Sequence, residues 1–467
     1  MTSITLHEGD NRDSLRRLID QGVRVHSVCT DPPYGLVSIT KRFSADNAAP
    51  AKSNGATGVF GRASAGFMGS KWDGTGIERD PEFWGLIYDI LLPGGYVLAF
   101  SSPRTGHWQA CAMELAGFVM HPFFGWVYGQ GFPKAHNAAM AIDKTLGVEQ
   151  GFVAEGDPVK RMIPGADQHK DGWEKTGDRE YQPGKRVPGS PEAAQWDGWA
   201  YGAQSMKPAL EPIYVGQKPF SEKNGALNLL KHGVGAVNID GCRVQTTDNL
   251  NGGAYAKVGG RTESQSMHAG SGMNVAGKTV GTDFVQPTGR HPANLLHDGS
   301  EDVVAMFPVT SSGTGAVKRK SASENNGNTG AAYGAESRPE GAEMISYGDS
   351  GSAARFFNSF PLDADPLFYH GKATKADRAG SKHPTVKPIQ LMRWLCRLVT
   401  PAGGTVLDPF GGSGTTGAAA QAEGFDCILM EAEEQFIADI RSRFGLPAPV
   451  AAFDDFDSLL VDDFDSL

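Results

Sequence analysis

The sequence predicts an α/β fold, with one parallel sheet assembled from the two ends of the chain and a large irregular insertion between them. Three observations carry this reading. Strand-like and helix-like segments alternate through the first 130 residues, the alternation is lost from about 151 to 369, and it resumes after His383. Parallel strands need crossover connections, and helices are what usually supply them.

Taken in order, residues 4–6 form a first strand that ends at Gly9-Asp10. Residues 23–30 are a short apolar run stopping at Asp31-Pro32-Pro33-Tyr34-Gly35. Residues 81–92 have helical periodicity and stop at Pro93-Gly94-Gly95, after which 96–100 reads as a buried strand. A second helix is expected over 103–116, opening after Ser102 and closing at Gly117, followed by a strand over 118–128. In the C-terminal part, 389–399, 414–423 and 433–444 are helical, and 405–407 and 425–430 are strands. The expected divisions are 1–147 and 371–446 as the two halves of one domain, 148–370 as a loop-rich insertion, and 447–467 as an acidic tail without fixed structure. Within the insertion, 247–290 and 311–352 are so polar that flexible loops are expected, and 211–216 and 236–240 are only short apolar pieces.

Composition narrows the classes. With 40% hydrophobic and 21% charged residues the chain can bury a core, while 61 Gly and 28 Pro require long loops. No apolar run is long enough for a transmembrane helix, and residues 1–13 lack the apolar stretch of a secretory signal, so a cytoplasmic location and no membrane partner are expected. The five cysteines are scattered without a C-x-x-C pair, which argues against a disulfide framework or a zinc site. The net charge of −10 points away from nucleic acid, but six Asp in 453–467 supply more than half of it. From 370 to 393 the balance is basic, with Lys372, Lys375, Arg378, Lys382, Lys387 and Arg393 against Asp377. Charge therefore leaves DNA open as a partner. The tail repeats Asp-Asp-Phe-Asp-Ser-Leu at 454–459 and 462–467, a pattern of acid and apolar residues that suits a protein partner as well as a solvated tail.

Two motifs carry chemistry. Residues 405–417 run from a strand through Asp408-Pro409-Phe410-Gly411-Gly412-Ser413-Gly414 into a helix. Such a loop permits close backbone approach to a ligand and aims helix N–H groups at an anion. No Lys follows the glycines, so it is not a Walker loop, and on the glycines alone a nicotinamide cofactor stays open. Asp408 would repel a pyrophosphate but attract an ammonium, which suits S-adenosylmethionine, a ligand with an ammonium and a carboxylate together. Glu431, at the end of the next strand, could hold two ribose hydroxyls.

The second motif, Asp31-Pro32-Pro33-Tyr34, lies at the carboxyl end of a strand, where open α/β sheets place their chemistry. A planar amino group there could donate to the Asp31 carboxylate and the Pro32 carbonyl while Tyr34 stacks on the attached ring. An exocyclic amine of adenine or cytosine is a poor nucleophile, and two acceptors best aligned as its nitrogen pyramidalises stabilise the transition state more than the ground state. This chemistry needs neither a metal nor a covalent intermediate. Attack on a cytosine ring carbon would need a cysteine nucleophile, typically after proline, and none of the five cysteines follows one.

These motifs resemble the amino-directed DNA methyltransferases, which modify N6 of adenine or N4 of cytosine. Asp31-Pro32-Pro33-Tyr34 resembles their catalytic motif, Phe410-Gly-Gly-Ser-Gly their cofactor motif, and His383-Pro-Thr-Val-Lys-Pro the segment before the cofactor loop. The order is similar to that of the beta class, in which the insertion carries target recognition. Residues 126–134 and 238–243 also look like methylases common in phages and prophages. The resemblance implies a Rossmann-like S-adenosylmethionine-dependent methyltransferase fold with circularly permuted motif order. It implies that Asp31, Pro32, Pro33 and Tyr34 hold a flipped base. Asp408, Pro409, Phe410, Gly412, Gly414 and Glu431 would bind the cofactor, with Thr385 and Lys387 near its methionine end and Asp10 near its adenine. Double-stranded DNA is the implied partner, with a homodimer left open. An Asp at the first motif position favours adenine in this family; N4 of cytosine, a protein glutamine amide or RNA are the alternatives. Lys134, Lys185-Arg186, Lys318-Arg319-Lys320 and the 372–387 cluster are basic candidates for phosphate contacts.

Overall fold

The computed structural model describes residues 2–35, 75–129, 131, 134–155, 180–246, 287–311, 350–360, 375–381, 383 and 385–447. It also describes short strand segments at 159–160, 166–169, 172–175, 317–318, 323–324, 337–338 and 343–344. The tail, most of the 247–290 and 311–352 stretches, and Lys372, Lys382, Arg319 and Lys320 lie outside the described residues.

Among the described residues, nine strands form one sheet. In chain order they are β1 (Ile4–Glu8), β2 (Val25–Thr30), β3 (Leu91–Phe100), β4 (Val119–Val127), β5 (Leu210–Gln217), β6 (Leu295–His297), β7 (Asn358–Ser359), β8 (Thr405–Asp408) and β9 (Asp426–Glu431). Their spatial order is β1-β9-β8-β2-β3-β5-β4-β6-β7. The two strands from the C-terminal part are thus slotted between β1 and β2 from the N-terminal part. All neighbours from β1 to β3 are parallel, β5 runs antiparallel to both β3 and β4, and β6 and β7 extend the far edge in parallel. One sheet built from both chain ends is therefore what the structure shows.

The strands alternate strictly between two cores. Val28, Val97, Ala99, Leu407 and Met430 face one cluster, while Cys29, Leu98, Phe100, Val406 and Leu429 face the other. Burial on both faces is what parallel strands require. Helices α1 (Asn11–Asp20), α2 (Pro81–Ile90) and α3 (Gly106–Leu115) cover the first face through Leu15, Trp84, Ile87 and Met113. On the second face, α6 (Ile389–Val399) packs Leu391, Trp394, Leu395 and Leu398, with α7 (Thr415–Glu423) and α8 (Glu434–Phe444) beside it. Asp10 and Asp80 cap α1 and α2 by accepting from Arg12 N and Glu82 N, and Pro81 occupies the first turn of α2, where its missing N–H costs nothing.

The insertion departs from expectation. Residues 211–216, read as an isolated apolar piece, lie within β5, an inner strand of the main sheet. Helix α5 (Gly225–His232) follows it, with Asn228 donating to the Pro93 and Val234 carbonyls, and Asn238 N donates to Leu398 O of α6. From within 148–370, β5, β6 and β7 thus complete the main sheet, and Asn228 and Asn238 tie the following residues to β3 and α6. Helix α4 (Ala138–Leu146) is joined to the following segment by Asp143, which accepts from Ser190 Oγ at 2.6 Å and from Gly189 N and Ser190 N. The paired segments Lys134–Asn137 with Ala200–Gln204, and Gly151–Ala154 with Gly184–Val187, belong to the same substructure. Residues 91–92, expected as the end of the helix, and 93–95, expected as its stop, open strand β3 instead, with the ladder shifting register between Val25 and Ser27 to absorb Pro93-Gly94-Gly95.

Candidate active site

Beyond β8 the chain turns back over the sheet to α7 and β9, whereas beyond β2 it goes the other way, to β3. The adjacent strands β2 and β8 therefore flank the point where the direction of winding reverses, which is where open α/β sheets leave a crevice at their carboxyl ends. A cleft of about 480 Å³ opens there. Asp10, Asp31, Pro32, Pro33, Tyr34, Thr385, Lys387, Asp408, Pro409, Phe410, Gly412 and Glu431 all line it. Gly414 is not on its wall but shapes the loop from behind.

Asp408 anchors the glycine loop. Its Oδ1 accepts from Thr30 Oγ1 of β2 at 2.6 Å and from Phe410 N at 3.0 Å, and its Oδ2 accepts from Thr416 Oγ1 of α7 at 2.5 Å. Burial pushes its carboxyl up to about 6, against the lowering effect of these bonds. The acid thus ties both motif-bearing strands to the helix after the loop. Gly412 and Gly414 have φ of +53° and +76°, the left-handed region where glycine is favoured. A Cβ at Gly414 would stand 2.9 Å from the Phe444 ring. Gly412 N donates to Glu431 Oε2 at 2.7 Å, and Glu431 Oε1 accepts from Ala432 N and Glu433 N, so this carboxylate first holds the backbone of the two strand ends. Burial raises Glu431 to about 7. Asp10 caps α1 and pairs with Arg12 on the rim, and the hydrogen bond from Arg12 holds its carboxyl below the usual range.

At the other wall, Pro32 and Pro33 are buried and Tyr34 O accepts from Thr105 Oγ1 at 2.6 Å, which fixes the turn. Asp31 Oδ2 accepts from the Lys387 ammonium, while Asp31 Oδ1 is buried and has no hydrogen-bond partner among the described residues. A buried acceptor left open at the mouth of a cleft is suited to a ligand donor. Lys387, expected near the methionine end of the cofactor, lines the same cleft; its ammonium sits on Asp31, donates to Tyr34 Oη at 3.2 Å and lies 4.7 Å from the Phe100 ring centroid.

Several wall residues escaped the sequence reading. Asn11 Nδ2, buried in α1, donates to Pro409 O at 2.9 Å and so ties the N-terminal half to the cofactor loop. Glu211 of β5 stands 3.9 Å from Lys387. His383 packs edge-on against Phe436, and burial lowers its imidazole to about 4, so it is neutral at physiological pH. Only the His383 motif was visible in the sequence; buried acids and amides at unrelated positions carry no signal. Among the basic candidates, Lys387 is buried in the site, Arg378 donates to His383 O, and the exposed Lys185 is 3.7 Å from Asp197.

Comparison with known proteins decides the affiliation of the C-terminal part. A family model for DNA methylases of the N6/N4 type matches residues 309–442, which include the His383 motif and the glycine loop. This segment is similar to the DNA methylases. The chain is similar to type II methyltransferase M2.DpnII of Streptococcus pneumoniae, 39% identical over 69 residues, and to M2.LlaDCHI of Lactococcus lactis subsp. cremoris, 33% identical over 71 residues. Each alignment spans 15% of this chain and 26% of the relative, so the chain covers about a quarter of the length of these proteins. Among solved structures, the M1.HpyAVI–SAM complex aligns over 95% of this chain and 100% of its own at 13% identity and a TM-score of 0.36. PvuII DNA methyltransferase, cytosine-N4-specific, aligns over 95% and 87% at 14% identity and a TM-score of 0.36. Among the described residues no helix is long and apolar enough to cross a membrane.

Proposed function

We propose that the chain is an amino-directed DNA methyltransferase that uses S-adenosylmethionine and methylates N6 of adenine in double-stranded DNA. The observation that carries this reading is the single cleft in which the buried, unpartnered Asp31 Oδ1 and the Asp408–Gly414 loop come from adjacent strands of one sheet. When bound, the cofactor supplies an electrophilic methyl group on a sulfonium. The residues fit it: the Asp408 and Glu431 carboxylates suit its ammonium and ribose ends, the backbone at Gly412 allows close approach, and a cleft of about 480 Å³ has the size of a small-molecule site.

The protein's own part is binding and orientation. Asp31 Oδ1 accepts the target amine and holds the ring in register, while Pro32 and Pro33 keep the turn rigid and Tyr34 offers a face for stacking. The cleft admits a base only after it leaves the duplex, at a cost of a few kcal/mol that is lowered by stacking and phosphate contacts. Residues 148–370 supply target recognition in this reading, from the part outside β5 to β7.

Incubation with methyl-labelled S-adenosylmethionine and double-stranded DNA, followed by digestion to nucleosides, tests it. Label in N6-methyldeoxyadenosine is expected. Label in N4-methyldeoxycytidine would move the specificity to cytosine, and label confined to protein or RNA would overturn the DNA reading.

A further inference from the structure

Strand β5 was invisible as part of the site, yet it delivers one buried acid, Glu211, to the back of the Asp31 pocket. Between the two carboxylates lies Lys387, whose side chain is 5% exposed; Asp31 and Glu211 are 19% and 7% exposed. Three formal charges are therefore gathered in a wall that excludes most water, two negative and one positive. Burying an ammonium is costly unless it is paired, and burial does lower Lys387, opposed by the charge and hydrogen bond of Asp31. Such a cluster persists only where surrounding packing fixes it. Here the Phe100 ring lies 4.7 Å from the ammonium, and the Tyr34 hydroxyl accepts from it.

We propose that Lys387 and Glu211 are positioning residues for Asp31: the lysine holds Oδ2 so that Oδ1 faces the target amine, and the glutamate keeps the wall net negative. This rests on the reading of the cleft as a methyl-transfer site. Asp31, Lys387 and Glu211 together have a formal charge of −1, which stabilises an amine that acquires positive charge as it is methylated, and Asp408 adds to it when ionised. An Asp31–Lys387 pair alone would be neutral and would offer much less. With Glu211 present, Lys387 can orient Asp31 without cancelling its field. The other charged or titratable groups near the lysine are Asp408, Tyr34 and His383, and the imidazole of His383 is neutral.

The test uses the full chain with Lys387→Met and Glu211→Gln. Single-turnover methyl transfer to DNA should fall on the order of 10²-fold in each, while cofactor affinity measured by calorimetry stays within about twofold. In K387M two carboxylates face each other without the intervening cation, so one holds a proton to higher pH, and the pH–rate profile moves to the alkaline side. A loss of cofactor affinity in step with rate would return Lys387 to the cofactor end and overturn the proposal, as would an unmoved profile. A measurement independent of turnover separates this from the methylase reading. K387M should lower the melting temperature more at pH 8 than at pH 5, because the facing carboxylates repel only when both are ionised. If the wild-type chain methylates no DNA, the methylase reading falls, and equal melting losses at the two pH values would then also remove the charge cluster.

Discussion

Replacing Thr416 by Val removes one hydroxyl from the helix side of the glycine loop at nearly constant volume. Thr416 Oγ1 donates to Asp408 Oδ2 at 2.5 Å, and both residues are buried. A hydrogen bond to a charged buried group is worth about 1.5–3 kcal/mol, which for a chain of 467 residues corresponds to a melting shift on the order of 1.5–3 °C. The sign with pH follows from Asp408. Its folded value is about 6 against 3.8 for the free side chain, so the stability cost of burying it is absent below 3.8, accumulates as the pH rises from 3.8 to 6, and is complete above 6. The Thr416 bond offsets part of this cost for the ionised form. T416V should therefore lose most at pH 8 and clearly less at pH 5, where Asp408 is protonated. Thermal denaturation of the two proteins at both pH values measures the difference. An equal loss at pH 5 and pH 8 would show that Asp408 is not ionised above 6, or that Thr416 acts through packing alone.

Three further outcomes follow from the same geometry. Gly414→Ala places a side chain at φ +76° and against Phe444, so a strain of about 1–2 kcal/mol and a weakened cofactor affinity are expected by calorimetry. Asn11→Ala leaves the Pro409 carbonyl without its buried donor and should cost about 1–3 kcal/mol in chemical denaturation, although Asn11 lies far from Pro409 in sequence. Deleting residues 453–467 should leave the turnover rate on DNA unchanged, because both motifs and all the described cleft residues precede it; steady-state assay of the truncated chain checks this.

Much of the architecture could be read from local patterns. The helix expected over 389–399 is found there to the residue, because its apolar positions recur with helical spacing and Pro388 precedes its first turn. The union of the two chain ends was also legible, since each supplies short strands that cannot stand alone. Strand β5 was not. Pro212 lacks the N–H an inner strand normally needs, and Gly216 weakens strand propensity, so the run read as a loop fragment. In the folded chain the Pro212 carbonyl accepts from Ser101 N, and the ladder to β4 shifts register between Ile213 and Val215. With β5 unrecognised, Glu211 could not be placed, and Lys387 was assigned from its motif rather than from its partner. Buried ion pairs between remote residues leave no periodic trace, whereas an acid–proline–proline–aromatic turn after a strand announces its own geometry.

The account depends on Asp31 serving the target amine and not the methyl donor. Cofactor affinity and single-turnover methylation of double-stranded DNA, measured together on the Asp31→Ala chain, test that division directly. The predicted result is transfer reduced by on the order of 10³-fold or more, with cofactor affinity within about threefold of the wild type. Loss of both in equal measure, or methylation at the wild-type rate, would contradict it.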